Sequence, residues 1–367
     1  MKIKRSFKNL FFLTINIFSV FLLVVTYAAQ YINPSEFWYF GLIAMFYPAI
    51  FVINLLFVVV WAFYFRKEAY ISLIAILLGF NSLLDNIQFS FSRKIEEKTG
   101  IKIMSYNVKN FDLYNWNGQG GNRKNIFRFI MNENPDIICF QEFFDSDREK
   151  GFNTVTQLSK ELGYPYVHFF VTSTAQNGKD RWGVATFSKF KIVNQASFSF
   201  PFAKYNPIIY SDILLHEDTF RLFNVHLASI GLGDKSTLLD PISDENFDEK
   251  DLLLAKSIAK KLRKGFKKRV AQIDSLVPLL QNTTLPIILC GDFNDTPSGY
   301  VYKQLTQTLH DAFVSKGIGI GNTYNGNYPS FRIDYILHDP DFETHAFYVH
   351  QVNYSDHFPI VAIIDRK

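Results

Sequence analysis

Pro286-Ile287-Ile288-Leu289-Cys290-Gly291-Asp292-Phe293-Asn294-Asp295-Thr296-Pro297 decides the reading of this chain. Ile287 to Cys290 is continuously apolar, the mark of a strand buried on both faces. The run stops at Gly291, and Asp292 and Asn294 follow; aspartate and asparagine are poor strand formers. At the mouth of a buried strand they set a carboxylate and an amide at a sheet edge, where ligands sit. Taken alone, the same residues make an ordinary turn. The decision comes from other segments that end in the same manner.

Ile101 to Val108 alternates and reads as a strand with Asn107 near its end. Ile137 to Phe140 is a second fully apolar strand, followed by Gln141-Glu142. A lone buried carboxylate is costly, so Glu142 calls for a metal ion or another cation. Phe220 to Leu227 alternates and closes on His226. A histidine there is more often an ordinary, partly buried residue than a catalyst, and it gains weight only in company. Arg332 to Leu337 is a strand whose alternation puts Arg332 and Asp334 on one face. Ser355-Asp356-His357 precedes a last apolar strand, Ile360 to Ile364. Trp182–Ser188, Phe198–Phe200 and Ser211–His216 are further strand candidates. Asn122–Asn132, Asn153–Leu162, Leu252–Leu280 with a candidate break at Gly265, and Tyr300–Thr308 read as helices. Ser229–Asp251 reads mostly as a long loop. The glycine-rich stretch Gly317–Gly326 lacks the lysine and spacing of a phosphate-binding loop.

Asn107, Glu142, His226, Asp292, Asn294, Asp334, Asp356 and His357 thus bring four carboxylates, two amides and two histidines to strand ends. Carboxylate and amide oxygens suit a hard cation such as Mg²⁺ or Mn²⁺. The histidines are too few, and too far from Cys139 and Cys290, for a typical zinc site. A hard cation beside aspartate and histidine fits phosphate-ester hydrolysis: carboxylates orient water, and a histidine donates to charge that develops in the transition state.

In this order, Met104-Ser105-Tyr106-Asn107-Val108, Gln141-Glu142, Asn224-Val225-His226, Gly291-Asp292-Phe293-Asn294, Arg332-Ile333-Asp334-Tyr335 and Ser355-Asp356-His357 resemble the endonuclease/exonuclease/phosphatase (deoxyribonuclease-I-like) superfamily. The resemblance implies an α/β four-layer sandwich, two packed mixed sheets flanked by helices, and metal-dependent hydrolysis of phosphoesters. It implies that Glu142 is the principal metal ligand, with Asn107 and Asp356 beside it. Asp292 and Asn294 would place the attacking water, and His357, held by Asp334, would contact a phosphate oxygen. His226 would stand near the leaving group, as in the deoxyribonuclease-like and sphingomyelinase-like branches. Abasic-site nucleases usually carry another residue there. They also tend to have an aspartate two residues past the Asn107 equivalent, where this chain has Lys109.

The resemblance starts near Ile101; what precedes it is of another kind. No charge lies between Lys8 and Glu36, nor between Glu36 and Arg66. Both gaps exceed the roughly 20 residues that span a bilayer. A third gap, Glu68 to Asp85, is shorter and carries Ser72, Gly79, Asn81 and Ser82. Three helices over 1–92, followed by a catalytic domain over 93–367, are therefore expected. Trp38, Tyr39, Trp61 and Tyr64 read as interfacial aromatics. Lys2, Lys4, Arg5 and Lys8, with Arg66 and Lys67, place the N-terminus and the Arg66 loop in the cytoplasm by the positive-inside rule. Three crossings leave the catalytic domain extracytoplasmic; if the third segment only lies on the membrane the domain is cytoplasmic, the alternative that Arg93, Lys94, Lys98 and Lys102 favour. The two cysteines end apolar runs and do not form a disulfide framework.

The expected activity is a membrane-anchored phosphodiesterase acting on nucleic acid. Lys260, Lys261, Arg263, Lys264, Lys267, Lys268 and Arg269 favour a polyanion, although such a run also serves as a plain solvated face. The alternatives are a phospholipid or sphingomyelin-type phosphodiesterase or phosphatase and, more remotely, a non-catalytic binding protein.

Overall fold

The computed structural model describes residues 7–64, 66–89, 100–116, 118, 120–148, 152–230, 247–326 and 330–367. Most of the expected Ser229–Asp251 loop, the basic residues Lys2, Lys4, Arg5, Arg93, Lys94 and Lys98, and the expected domain boundary lie outside them.

The N-terminal part is a helical bundle: α1 (Phe7–Ala29), α2 (Trp38–Met45), α3 (Tyr47–Phe63), α4 (Ala69–Leu78) and α5 (Phe80–Asn86). Among the described residues, α1 is long and apolar enough to cross a membrane. α2 with α3, bent by 58°, and α4 with α5, bent by 68°, qualify only as pairs. The breaks fall where the sequence favours them. Pro48 starts α3 because its missing N–H costs nothing in a first turn. At Gly79 a Cβ would lie 1.9 Å from Cζ of Tyr27, so the α1 side chain packs directly on backbone. Two of the polar residues that weaken the third gap face inward: Ser72 and Ser82 are buried and accept from Asn16 and Gln30, while Asn81 is exposed. Trp61 is not an interfacial residue. It is buried, and its indole N–H donates to Asn16 Oδ1 at 3.0 Å.

The rest is a sandwich of two six-stranded mixed sheets. The strands are β1 (Ile101–Asn107), β2 (Ile137–Ser146), β3 (Tyr166–Ala175), β4 (Asp180–Ser188), β5 (Lys191–Phe200), β6 (Ala203–Leu215), β7 (Asp218–His226), β8 (Ile287–Asp292), β9 (His310–Asp311), β10 (Asp334–His338), β11 (Phe342–Val349) and β12 (Ile360–Arg366). One sheet runs β11-β12-β1-β2-β4-β3 and the other β5-β6-β7-β8-β10-β9. Helices α6 (Asn122–Glu133), α7 (Thr154–Thr156), α8 (Phe247–Gln281), α9 (Tyr300–Leu305) and α10 (Ala312–Lys316) flank them. The expected Asn153–Leu162 helix is α7 continued by a π-helical turn, Gln157–Glu161. α8 runs unbroken through Gly265 and also holds Pro278. Arg269 does not belong to its basic face: the side chain is buried, donates to Ala228 O and stacks on Phe266. The inner faces carry the expected apolar alternation, and Cys139 and Cys290 are buried free thiols between the sheets.

Each sheet is built around one parallel pair, β1 with β2 and β7 with β8. Parallel strands end at the same rim, so Asn107 pairs with Gln141 and His226 with Asp292. The antiparallel neighbours begin at that rim: Asp334 pairs with Asp292, and β12 starts opposite Ser105 just past Asp356 and His357. This topology gathers the dispersed motifs.

The bundle docks on the sandwich through loops next to that rim. Asn86 donates to Ser298 Oγ at 3.1 Å, Arg332 Nη2 donates to Asp85 O at 2.6 Å, and Gln88 bridges Gly319. Gly41 of α2 lies against the Phe266 ring of α8.

Candidate active site

Gly291 lets β8 approach β7: a Cβ there would lie 2.0 Å from Val225 O, and its φ is +144°. Asp292 follows, buried, with Oδ1 accepting from Asn294 N at 2.9 Å. Asn294 takes a left-handed conformation that asparagine tolerates, and its amide donates to Leu227 O. Asn107 joins the two sheets, with Nδ2 donating to Asp292 Oδ2 at 3.1 Å and to Glu142 Oε1 at 3.3 Å.

Glu142 is not at a strand end. β2 continues to Ser146, and the register slips between Phe140 and Phe143. Glu142 sits on this bulge with φ of +49°. A bulge re-aims a side chain out of the pleat, which is how the carboxylate reaches the cleft. Gln141 points the other way and donates to Asn224 Oδ1 at 2.8 Å between the sheets.

The two histidines flank Asp292. His357 Nδ1 lies 2.9 Å from Asp334 Oδ2, and its Nε2 lies 3.7 Å from Asp292 Oδ2. Burial alone would lower this imidazole, but the Asp334 and Asp292 carboxylates outweigh it and hold it well above the usual histidine value. His226 Nε2 faces Asp292 Oδ2 at 3.8 Å and Glu142 Oε1 at 3.9 Å. Burial lowers His226, so it stays neutral where His357 is charged. Burial also pushes Asp292 up to about 6, against the pull of His357. Burial, then Asp356, raise Glu142. Neighbouring groups with separated proton affinities are the arrangement that acid–base chemistry requires.

Sequence reading missed several supports. Thr323 Oγ1 accepts from the N–H of Ile333 and of Asp334, and Tyr324 packs edge-on against His357. Ser355 Oγ donates to Asn107 O. Arg332 does not share a face with Asp334; it precedes β10 and pairs with Asp311. Lys109 Nζ lies 2.6 Å from Asp356 Oδ2. Lys109, Asn110, Phe111 and Asp112 are all left-handed, with φ of 44°, 56°, 54° and 58°. Such residues cost about 1–2 kcal/mol each. Burial of Phe111 against Phe140 and Phe143, worth about 1.5–3 kcal/mol, offsets part of that cost.

All eight expected residues therefore lie at one rim: Asn107, Glu142, His226, Asp292, Asn294, Asp334 and His357 around Asp292, with Asp356 tied in by Lys109. The donor set fits a hard cation. It is rich in carboxylate and amide oxygens, and Asp334 Oδ1 is buried without a partner among the described residues. Asp292, Asp334 and His357 offer ligand atoms within 4.8 Å of one another and could hold a metal ion.

Fold and site define a phosphoesterase. The Endonuclease/Exonuclease/phosphatase family profile matches residues 104–357, well over half of the chain, and the chain belongs to that family. It is a phosphoric ester hydrolase, of a family that typically binds a divalent metal. Residues 8–85 match a domain of unknown function (DUF8431). The chain is similar to human Nocturnin, 26% identical over 215 residues, 54% of this chain and 39% of that protein. Rat Nocturnin matches equally, over 40% of its length, so this chain spans about two fifths of these curated relatives. Among solved structures, a family member from Beutenbergia cavernae superposes with a TM-score of 0.52 at 16% identity, covering 73% of this chain and 72% of that one. The human Nocturnin catalytic domain with bound sulfate gives 0.50 at 20% identity, covering 73% and 94%. At these identities the structural likeness shows the fold alone.

Proposed function

We propose that this protein is a membrane-anchored, divalent-metal-dependent phosphodiesterase. One observation carries the reading: Asp292 stands between a charged histidine, His357, and a neutral one, His226, with Glu142 and Asn107 on the open side. Asp292, fixed by the Asn294 N–H, orients the attacking water and takes its proton. His357, held by Asp334, donates to a phosphoryl oxygen as charge builds. The neutral His226 donates its ring N–H to the leaving oxygen. Glu142, with Asn107 and Asp356, would hold Mg²⁺ or Mn²⁺, which supplies Lewis-acid stabilisation of phosphoryl charge. This side suits the metal better than the Asp334–His357 pair, because a protonated imidazole has no lone pair to give.

The substrate we favour is nucleic acid. Lys260, Arg263, Lys264 and Lys267 are exposed along α8 and suit a phosphate backbone. A phospholipid substrate is the second reading; the observation in its favour is the docking of the bundle on Ser298 and Arg332, beside the site. For the membrane side, α2 touches α8 of the sandwich at Gly41 and α3, which follows it, ends just before Arg66 and Lys67, in keeping with a cytoplasmic Arg66 loop and an extracytoplasmic catalytic domain. The test is a panel of single-stranded DNA, RNA and phospholipid vesicles given to the full chain, with Mg²⁺ or with chelator. Cleavage of nucleic acid that fades with added salt supports the first reading. Release of headgroup alone supports the second, and chelator-resistant hydrolysis refutes both.

A further inference from the structure

The four site carboxylates are not equally served. Asp334 is paired with His357, and Asp292 faces both His357 and the Asn107 amide. Asp356 Oδ2 has the Lys109 ammonium 2.6 Å away, and Glu142 accepts only from the Asn107 amide, at 3.3 Å, among the described residues. The geometry points to Lys109 as the permanent second cation of this site: it takes Asp356 Oδ2, leaves only Oδ1 to the ion held at Glu142, and so limits the cleft to a single divalent ion. This rests on the catalytic reading above.

Two features support it. Lys109 is held to its task from both sides, since its backbone N–H donates to Asn107 Oδ1 while its ammonium lies 4.7 Å from the Trp116 ring centre. An ion bound through Asp356 Oδ2 must displace that ammonium or sit against it, and like charges at contact repel strongly in a poorly solvated cleft.

The experiment counts Mn²⁺ bound to the full-length, detergent-solubilised protein by electron paramagnetic resonance of the free ion. Lys109→Asn and Lys109→Asp suit the purpose, because both residues tolerate the left-handed backbone at this position. The expected result is one tightly bound ion in the native protein and in Lys109→Arg, and two in Lys109→Asn and Lys109→Asp. Two ions in the native protein, or an unchanged single ion in both neutral and acidic variants, overturns the inference. Glu142→Gln separates it from the catalytic reading. If that variant keeps the first ion while the Lys109 variants gain a second, Lys109 does exclude the second ion, but the first is not held by Glu142. Thermal unfolding confirms that each variant counted is folded.

Discussion

Two of the polar clusters buried in this protein are built to opposite specifications. In the bundle, Asn16 Nδ2 donates to Ser72 Oγ, and Asn16 Oδ1 accepts from Trp61. Ser72 donates in turn to Asn54 Oδ1, while Asn54 Nδ2 reaches Ser19 and Ile50. Every side-chain donor and acceptor of that chain of bonds is matched, and no carboxylate takes part. At the rim of the sandwich four carboxylates crowd together, Asp334 Oδ1 has no partner among the described residues, and Lys109, Glu142 and Asn294 sit in left-handed backbone. A satisfied polar cluster specifies which helices meet. An unsatisfied one stores free energy that a ligand releases, and that is the mark of a functional site.

The comparison breaks most plainly at Asp292 and His357. Asp292→Asn or His357→Ala is expected to lower phosphodiester hydrolysis by about 10²–10⁴-fold, the range for losing one positioned acid or base. Asp292→Asn should raise the melting temperature, because a buried carboxylate facing Asp334 is removed, whereas His357→Ala should lower it, because Asp334 is left buried without its partner. Chelation should abolish turnover and lower the melting temperature, since an ion bound only by the folded chain stabilises it. A variant that loses stability but keeps turnover would show the rim to be another structural cluster.

The rim was legible because parallel strands end together. Ile287 to Cys290 and Ile137 to Phe140 could be read as buried strands, and the polar residues after them could be collected without knowing how the sheets pack. What escaped is equally specific. Glu142 reads as the residue after a strand, yet β2 continues, because the bulge that turns Glu142 outward carries neither glycine nor proline. The left-handed turn Lys109–Asp112 is invisible for the same reason: it is held by the burial of Phe111, a tertiary effect. Thr323 supports Asp334 through backbone N–H groups, which any sequence supplies. In the bundle, Ser72 only weakened the hydropathy signal of the third gap, and its bonds to Asn54 and Asn16 need three helices at once.

A third buried cluster sharpens the contrast with pH. His168 lies between Ser211 Oγ, 3.0 Å from Nδ1, and Ser197 Oγ, 2.9 Å from Nε2. Burial lowers it to about 4 from the ordinary 6.5, and no carboxylate counters the shift as Asp334 does for His357. Between those values the unfolded chain binds a proton that the folded chain refuses. Stability therefore falls as pH drops below about 6.5, and the loss is complete below about 4. The full effect is about 3 kcal/mol. Denaturant unfolding at several pH values should show that slope, and His168→Gln should flatten it. A slope unchanged in His168→Gln would assign it to other groups.

The smallest expected effect tests the satisfied cluster itself. Asn54→Ala removes one amide and leaves the Ser19 and Ser72 hydroxyls short of a partner. If the bundle lies in the membrane, as proposed above, such bonds are worth about 1–2 kcal/mol in total, because the separated helices also find partners. Stability in detergent should fall by that amount. Activity should hold, since the contacts that reach the rim run through Asp85 and Asn86 at the end of α5 and bypass Asn54. Asn86→Ala is the matching control, as it cuts the bond to Ser298, four residues past Asn294, at little cost in overall stability. If Asn86→Ala leaves hydrolysis untouched and Asn54→Ala lowers it, coupling between bundle and site runs through the interior of the helices, and the division between a structural and a functional cluster fails.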